Sequence, residues 1–317
     1  MRQFLHKILL FSGCFLVGYL LLVRLLGNTP LHGNISYIPN NYGHLHSRIV
    51  DVANHHDVDL LFLGSSHAYR TFDTRQYEAA GISAFNLGSS NQTPLQTLAL
   101  LRCYLDSLRP QRVVFEVHPD VLQNNGEESA IDMLYNCPVS SPMLHMVRKL
   151  RSVKVYNNLI YSMERGYGNI PLCDSVIHLN LLLPDTSFPS TFAYVRGGFV
   201  EMNPVYGQHP RLLPPDTIVV NPLQLESLRQ CTALLKERGI PYVLLEVPSS
   251  RMLYRSYCNH REFEDLMARE GRYINLNDTL SLMSQLEDSI HYVDDDHLNL
   301  KGTNIVNEYI IKCILSD

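Results

Sequence analysis

The chain has 317 residues, of which 45% are hydrophobic and 18% are charged, and this composition excludes an intrinsically disordered protein. Its 26 Lys and Arg residues against 31 Asp and Glu residues give a net charge of −5, which excludes the basic surface of a nucleic-acid-binding protein. The sequence has no internal repeat of solenoid or propeller period. We therefore expect a globular protein of one large or two small domains, with no nucleic-acid partner.

The amino terminus is predicted to form a transmembrane helix. Basic residues at positions 2 and 7 precede an uncharged apolar run over 8–23, and a helix of that run is about 24 Å long, close to the thickness needed to span a bilayer. Residues 28–47 contain no Lys or Arg, so the positive-inside bias predicts a cytoplasmic tip and an extracytoplasmic remainder, periplasmic or at the cell surface. A cleaved secretory signal and a buried core helix are the alternatives.

The rest of the chain alternates strand-like and helical patterns. Short apolar runs closed by turn formers are typical of buried parallel strands, and they lie at 58–63, 84–88, 112–117, 242–247 and 273–276. Amphipathic helical patterns occupy 94–108, 222–238, 261–270 and 301–315. Strand–helix–strand order implies parallel pairing with right-handed crossovers. The sequence thus predicts a three-layer α/β/α domain around a mostly parallel five-stranded sheet, in addition to the transmembrane helix.

We divide the chain into a cytoplasmic tip and membrane helix (1–27), a polar juxtamembrane linker (28–47) and the α/β domain (48–317). Residues 120–215 break the strand–helix rhythm and are rich in Pro, Tyr and Asn. We interpret them as an insertion that covers the carboxyl edge of the sheet, where α/β active sites form. A peripheral subdomain with no part in the chemistry is the alternative.

Neither a metal nor an organic cofactor is expected. The seven cysteines are widely spaced and include no C-x-x-C pair, so zinc and redox motifs are not indicated. The histidines at 44, 46, 55 and 56 have no framing carboxylate or cysteine. In an exported chain, a disulfide from Cys137 to Cys173 or to Cys258 stays open.

Two clusters carry residues suited to catalysis. The sequence GSSH at 64–67 follows the first strand, so Ser66 lies on a tight turn at the start of a helix, where backbone N–H groups point at a developing anion. Asp294 and His297 precede the last helix, and their spacing lets the carboxylate accept the Nδ1 proton while Nε2 faces a serine. A serine hydroxyl needs such a base to act as a nucleophile. Together these residues predict a Ser-His-Asp triad.

Each cluster also has a structural interpretation. A Gly-Ser-Ser turn after a strand is a common helix N-cap, because a serine oxygen satisfies the free N–H groups there. The run Asp294–Asp296 is also compatible with a solvated turn that caps the last helix, or with a weak divalent-cation site of oxygen ligands.

These residues resemble the conserved blocks of the SGNH/GDSL hydrolase superfamily of esterases and acyltransferases. The 64–67 run is similar to the first block, with Ser66 at the nucleophile position, and Gly88 stands where the second block has the glycine whose N–H serves the oxyanion hole. Asp294 and His297 match the final block. The run from His297 to Gly302, HLNLKG, resembles bacterial membrane-anchored members that act on cell-envelope polymers. The resemblance implies the flavodoxin-like SGNH fold.

The third block departs from the family pattern. The family has Gly-x-Asn-Asp after the third strand, and this chain has the sequence from Glu116 to Pro119, EVHP. The asparagine donor of the oxyanion hole is therefore missing, and Asn91 is the candidate to replace it beside the Ser66 and Gly88 N–H groups. We also expect His67, Glu116 and His118 to line the site, with a purely structural role as the alternative for each.

The resemblance implies an extracytoplasmic serine esterase or O-acyltransferase that acts on acyl esters, with acetyl esters first, of a cell-envelope polysaccharide. The membrane is expected to hold the protein through the N-terminal helix, and envelope or export proteins are expected as further partners. The alternative, favoured by the altered third block, is a non-catalytic SGNH-like module that binds glycan or scaffolds an export complex.

Overall fold

The structure is a computed structural model that describes residues 1–27, 43–168, 192–202 and 213–315. Most of the predicted juxtamembrane linker and Cys173 lie outside these residues. The first helix after the gap begins at Leu45, inside the range predicted as linker. In the described part of the chain, Cys137 and Cys258 are both free thiols, so a disulfide between them is not formed. The predicted domain boundaries stay predictions.

The helices in chain order are α1 (Arg2–Gly27), α2 (Leu45–Val52), α3 (Ser66–Thr71), α4 (Thr74–Ala79), α5 (Pro94–Leu108), α6 (Pro119–Gln123), α7 (Glu127–Asn136), α8 (Ser141–Leu150), α9 (Val153–Gly168), α10 (Pro222–Glu237), α11 (Arg251–Ser256), α12 (His260–Glu270), α13 (Leu280–Met283), α14 (Asp288–His291) and α15 (Leu300–Cys313). The strands are β1 (Leu60–Leu63), β2 (Ala84–Asn86), β3 (Arg112–Glu116), β4 (Phe192–Val195), β5 (Phe199–Met202), β6 (Tyr242–Glu246) and β7 (Tyr273–Asn275).

The first helix is the only one in the described part of the chain that is long and apolar enough to cross a membrane. Its apolar window, Arg2–Leu25, has a mean hydropathy of 2.2. Most of its side chains are exposed, unlike those of a core helix, and near its carboxyl end Val23 packs against Tyr161 of α9. A membrane anchor and a signal sequence are the two interpretations that fit such a helix.

A five-stranded sheet in the order β2-β1-β3-β6-β7 forms the centre of the domain, and all four neighbouring pairs are parallel. The prediction of an α/β domain around a mostly parallel five-stranded sheet is confirmed. The five strands coincide with the five predicted runs, and α5, α10, α12 and α15 coincide with the four predicted helices. The middle strands β1, β3 and β6 carry consecutive buried apolar residues because helices cover both faces of the sheet.

The two faces of the sheet are packed against different sets of helices. Successive side chains of a strand point to opposite faces, and in β1 Leu61 and Leu63 join one apolar cluster whereas Leu60 and Phe62 join the other. The first cluster includes side chains from α5, α10 and α12, and the second includes side chains from α3, α4 and α15. The result is the predicted three-layer arrangement.

Strand β1 lies between β2 and β3 in the sheet. The chain therefore places the next strand, β2, on one side of β1 and the following strand, β3, on the other. The loops after β1 and β3 therefore leave the sheet at a topological switch point, where open α/β sheets form their binding crevice. The turn at 64–67 and the EVHP segment that begins at Glu116 both lie at this edge of the sheet.

The described parts of residues 120–215 form helices and a two-stranded hairpin. Helices α8 and α9 are separate because the chain takes a positive φ of 52° at Arg151, between them. The hairpin β4–β5 lies at the end of β2, where Asn86 N–H donates to Gly197 O at 2.7 Å. On its other side, the buried guanidinium of Arg48 donates from Nη2 to Gly198 O at 2.7 Å. The first contact attaches the hairpin to the carboxyl end of β2, and the second attaches it to α2.

The start of α15 is closely packed against the loop that carries the predicted catalytic histidine. Asn299 caps this helix and accepts hydrogen bonds from the N–H groups of Lys301 and Gly302. A Cβ atom at Gly302 would lie 2.4 Å from the backbone oxygen of His291, and that oxygen cannot move freely. Only glycine fits this contact without a shift of the backbone.

Gly302→Ala is therefore expected to lower the free energy of unfolding by about 1–3 kcal/mol through overpacking. The measurement is denaturant unfolding of the detergent-solubilised chain. Lys301→Ala changes an exposed neighbour on the same helix turn and should stay within about 0.5 kcal/mol of the unmodified chain. Equal effects of the two substitutions would contradict the close contact.

Candidate active site

Ser66 lies on a strained turn between β1 and α3. Gly64 has a φ of 138°, and a Cβ atom there would lie 2.5 Å from Oε2 of Glu116, so the turn needs glycine. Ser65 is the N-cap of α3 and accepts from the N–H of His67 at 3.2 Å. Ser66 is the first residue of the helix, so its own N–H has no intrahelical partner. The turn thus presents a half-buried hydroxyl and a free backbone N–H together.

His297 reaches Ser66 across 231 positions of the chain. The Nε2 atom of His297 lies 2.8 Å from Oγ of Ser66. On the other side of the ring, Nδ1 lies 2.9 Å from each carboxylate oxygen of Asp294. The structure therefore brings together the three residues that the sequence predicts as a triad, in the order hydroxyl, imidazole, carboxylate.

The turn that carries His297 is shaped by Asp294. One carboxylate oxygen of Asp294 accepts the backbone N–H of His297 at 2.8 Å and that of Asp296 at 3.2 Å. An isolated β-bridge between Tyr292 and Leu298 joins the two ends of the loop that contains these residues. Asp294 thus folds the backbone that places the imidazole, in addition to contacting the ring.

Asp296 is a second carboxylate on the same imidazole, and the sequence analysis did not single it out. Its Oδ1 lies 2.7 Å from Nδ1 of His297, and its side chain is 26% exposed against 48% for Asp294. The run of three consecutive aspartates was the sequence feature that could have indicated Asp296. The i, i+3 spacing that places two side chains on one side of a turn favoured only Asp294.

The electrostatics of the pair favour a charged carboxylate and a basic imidazole. Burial opposes the ionisation of Asp296, but the charge of His297 and hydrogen bonds from His297 and His67 hold the pKa of Asp296 well below its usual range. Burial acts to lower the pKa of His297, and the charge of Asp296 and the hydrogen bonds to both aspartates outweigh it, so this pKa is raised. His297 is suited to accept a proton from Ser66.

Three imidazole rings are stacked beside Ser66. The ring of His67 is nearly parallel to that of His297, at 7° with centroids 4.8 Å apart, and nearly parallel to that of His118, at 17° and 4.0 Å. His118 accepts the N–H of Asp120 through Nδ1, and its Nε2 lies 3.2 Å from Oγ of Ser249. Burial and the neighbouring His67 lower the pKa of His118, so a neutral ring packs against His67.

Glu116 lies fully buried beneath the Ser65–Ser66 turn. Its Oε2 accepts both the backbone N–H and the hydroxyl of Ser65, each at 2.9 Å. Burial raises the pKa of Glu116, although these hydrogen bonds act in the opposite direction. Of the residues predicted to line the site, Glu116, His67 and His118 all contact one another or the catalytic turn through side-chain atoms.

The oxyanion donors are arranged differently from the expectation. Gly88 does lie beside the nucleophile turn, since a Cβ atom there would be 3.0 Å from Ser65 O. Its N–H, however, donates to Oδ1 of Asn86 at 3.1 Å. Asn86 is a buried residue at the end of β2 that the sequence analysis passed over as part of an apolar strand.

The expected role of Asn91 is not supported by its contacts. Its Nδ2 donates to Glu128 at 3.1 Å, and its Oδ1 accepts from Asn124 at 3.1 Å. Both ends of this carboxamide are therefore engaged with the loop and helix that follow α6. The sequence placed Asn91 at the correct edge of the sheet, but the side-chain direction depends on a positive φ of 52° that no pattern predicts.

One group in the described part of the chain has the spacing of a metal-ligand set. Ligand atoms of His67, Asp296 and His297 lie within 4.8 Å of one another. Hydrogen bonds within the group already use these atoms, since Asp296 contacts Nε2 of His67 and Nδ1 of His297. We therefore describe the group as a hydrogen-bonded cluster.

No protein-family model and no curated protein matches the chain. Similar solved structures include a GDSL-like lipase from Bacteroides thetaiotaomicron VPI-5482, with 12% identity over 81% of this chain and 87% of that chain and a TM-score of 0.35. They also include a lipase/acylhydrolase from Enterococcus faecalis, with 10% identity over 81% of this chain and 95% of that chain and a TM-score of 0.38. Likeness at this level identifies no activity, so we infer the chemistry from the side chains of this chain.

The raised pKa of Glu116 predicts a pH-dependent stability. A carboxyl group whose pKa is raised on folding contributes stability that is fully present below its unfolded pKa, about 4.3, and is lost as the pH rises through the folded value. Glu116→Gln replaces the carboxyl group with a neutral amide, so the variant does not lose this stability as the pH rises. The free energy of unfolding of the variant, relative to the unmodified chain, should therefore rise with pH above about 4.3.

Urea unfolding of the two proteins between about pH 4 and pH 8 measures this difference. Glu262→Gln, which changes an exposed carboxylate, is the matched control. The difference in the free energy of unfolding between Glu116→Gln and the unmodified chain is compared with that of the control. If the two differences vary equally with pH, ionisation of Glu116 does not destabilise the fold.

Proposed function

We propose that this chain is an extracytoplasmic serine esterase or O-acyltransferase of the SGNH type. Ser66 is the nucleophile, His297 the general base and Asp294 the acid that orients it. The single observation that carries the proposal is the 2.8 Å contact from Ser66 Oγ to His297 Nε2, on an imidazole whose Nδ1 is held by carboxylates. Nucleophile, base and orienting acid within hydrogen-bond reach are the signature of an activated serine.

The proposed reaction begins with attack of Ser66 Oγ on an ester carbonyl, while His297 Nε2 takes the hydroxyl proton. His297 then returns this proton to the leaving alcohol, which leaves an acyl group on Ser66. Water or a sugar hydroxyl next attacks the acyl-enzyme with His297 again as base. Hydrolysis and transfer differ only in this acceptor.

The oxyanion of the tetrahedral intermediate needs preorganised donors. The N–H of Ser66 lacks an intrahelical partner and supplies one. The N–H of Gly88 is the second, and we propose that the oxyanion displaces the amide oxygen of Asn86 from it. A donor of this kind contributes about 3 kcal/mol in comparable sites.

The substrate class follows from the amino terminus and from the family resemblance. The apolar window Arg2–Leu25 and the lack of Lys and Arg in 28–47 favour a membrane anchor with the domain outside the cytoplasm. The HLNLKG sequence resembles envelope-acting members of the superfamily. We therefore propose acyl esters of a cell-envelope polysaccharide as substrates, with acetyl esters first.

A specific observation favours a second function, a non-catalytic module that binds glycan or scaffolds an export complex. Gly88 N–H already has a partner in Asn86, and the Asn91 carboxamide is engaged elsewhere. A site with one free oxyanion donor would hold an ester without turning it over efficiently.

A fluorophosphonate probe separates the two functions, because it reacts with an activated serine and not with a helix cap. The unmodified chain should be labelled and Ser66→Ala should not, with both proteins keeping the same melting temperature. Ser90→Ala, which changes another half-buried serine at the same edge of the sheet, is the control and should label normally. An unlabelled wild-type protein would favour the non-catalytic module.

The pH dependence of turnover tests the role of His297. The base must be neutral in the free enzyme, so kcat/KM is lost as the pH falls through its pKa. The pKa of His297 is raised above the ordinary value of about 6.5. With p-nitrophenyl acetate as substrate, the midpoint of the acid limb should therefore lie above about pH 6.5, and a midpoint below that value would contradict this environment of the base.

A further inference from the structure

Asp296 contacts two histidines at once. Its Oδ1 lies 2.7 Å from Nδ1 of His297, and its Oδ2 lies 3.2 Å from Nε2 of His67. The two rings are stacked, so one carboxylate joins parallel imidazoles at their edges. His67 thus has a contact with the catalytic base through Asp296, although its own ring does not reach Ser66 by any hydrogen bond in the described structure.

The other ring nitrogen of His67, Nδ1, is held by the side chain of Ser65. This nitrogen lies 2.8 Å from Oγ of Ser65, and that hydroxyl donates to Oε2 of Glu116 at 2.9 Å. Ser65 Oγ also accepts the backbone N–H of His67. A continuous chain of hydrogen bonds therefore runs from Glu116 through Ser65, His67 and Asp296 to His297.

These hydrogen bonds allow two arrangements of the protons. A carboxylate oxygen can only accept, so Nε2 of His67 must carry the hydrogen that faces Asp296. When the hydroxyl proton of Ser65 points to Glu116, Nδ1 of His67 must also donate. In this arrangement His67 is a cation between the two ionised carboxylates of Glu116 and Asp296.

A second arrangement satisfies the same contacts. The Nδ1 proton of His67 passes to Oγ of Ser65, and the hydroxyl proton of Ser65 passes to Oε2 of Glu116. No proton is gained or lost, and both Glu116 and His67 are then neutral. Burial favours this form, because it raises the pKa of Glu116. In both arrangements Nε2 of His67 still donates to Asp296.

We propose that Glu116, Ser65 and His67 form a buried proton-sharing relay that positions Asp296 as a second acidic partner of His297. The proposal rests on the proposed function of Ser66 and His297 and deepens it. Whichever group holds the shared proton, Glu116 and His67 together carry no net charge. The negative charge of Asp296 is therefore directed at His297, where it stabilises the imidazolium that forms during proton transfer.

The relay lies among other ionisable groups, and these set the background for its titration. The groups that face it are Arg70 on α3, His118 and Asp120 after β3, Glu246 at the end of β6, Tyr257 after α11, and Asp294. None of them contacts both His67 and His297 through one side chain, as Asp296 does.

A double-mutant cycle tests the coupling of His67 to Asp296, with Asp294 as the matched control. Asp296→Asn keeps the shape of the side chain and removes its charge. Measured with p-nitrophenyl acetate on the full chain in detergent, it should lower kcat about 10²- to 10⁴-fold and leave KM within about threefold. It should also move the acid limb of kcat/KM to lower pH, because the pKa of His297 loses its support. A purely structural role would not move that limb.

His67→Gln should lower kcat about tenfold or more in the unmodified chain and in the Asp294→Asn background. In the Asp296→Asn background it should have no further effect, because the residue it acts through is gone. Independent, multiplicative effects of His67→Gln and Asp296→Asn would overturn the proposal. So would an Asp296→Asn variant with unchanged kcat and unchanged pH profile.

A second measurement does not depend on turnover or on the stability of the His67→Gln variant. Nitrogen-15 NMR of the histidine side chains in the full chain reports the protonation and hydrogen bonding of each ring nitrogen. Asp296→Asn should shift the signals of both His67 and His297, whereas Asp294→Asn should shift those of His297 alone. Shifts confined to His297 in both variants would refute the relay.

The two measurements also separate this proposal from the proposed function. A chain that fluorophosphonate does not label, but whose His67 and His297 signals both respond to Asp296→Asn, would have the relay without the activity. A labelled chain whose His67 signals ignore Asp296→Asn would have the activity without the relay.

Discussion

The site depends on one constraint, which is that a buried carboxylate must find hydrogen-bond donors. Glu116 ends β3 with its side chain fully buried, and a buried carboxyl group without hydrogen bonds costs free energy in either protonation state. The turn after β1 supplies both donors from Ser65. This requirement holds the turn close above Glu116, permits only glycine at position 64, and places Ser66 at the first position of α3.

The same constraint accounts for the residues at the end of β3. Glu116 and His118 both lie at this edge of the sheet. Both are buried and both serve the layer beneath the nucleophile, Glu116 through Ser65 and His118 by stacking on His67. The segment thus supports the Ser65–Ser66 turn from below.

The sequence was sufficient to predict the sheet and the Ser66–His297 pairing, for definite physical reasons. Strands buried on both faces read as short apolar runs, and the carboxyl ends of parallel strands meet at one edge, so residues in loops after β1 and before α15 are brought together. The same reasoning did not predict the contacts of Asn91 and Asp296. Their roles depend on backbone dihedrals within single turns, a positive φ at Asn91 and the tight turn closed by Asp294, and hydrophobic periodicity carries no information about either. Asn86 was passed over because a polar side chain inside a buried strand has no signature of its own.

The contact between Asn86 and Gly88 has a consequence for the chemistry. The Gly88 N–H already serves an oxygen acceptor, the amide oxygen of Asn86, and an oxyanion is an acceptor of the same kind. Asn86 itself is fixed by donation from Nδ2 to Ala68 O at 2.9 Å, a carbonyl of the helix that begins with Ser66. A substrate oxyanion that used the Gly88 N–H would therefore have to compete with an amide oxygen whose side chain is anchored at its other end to α3.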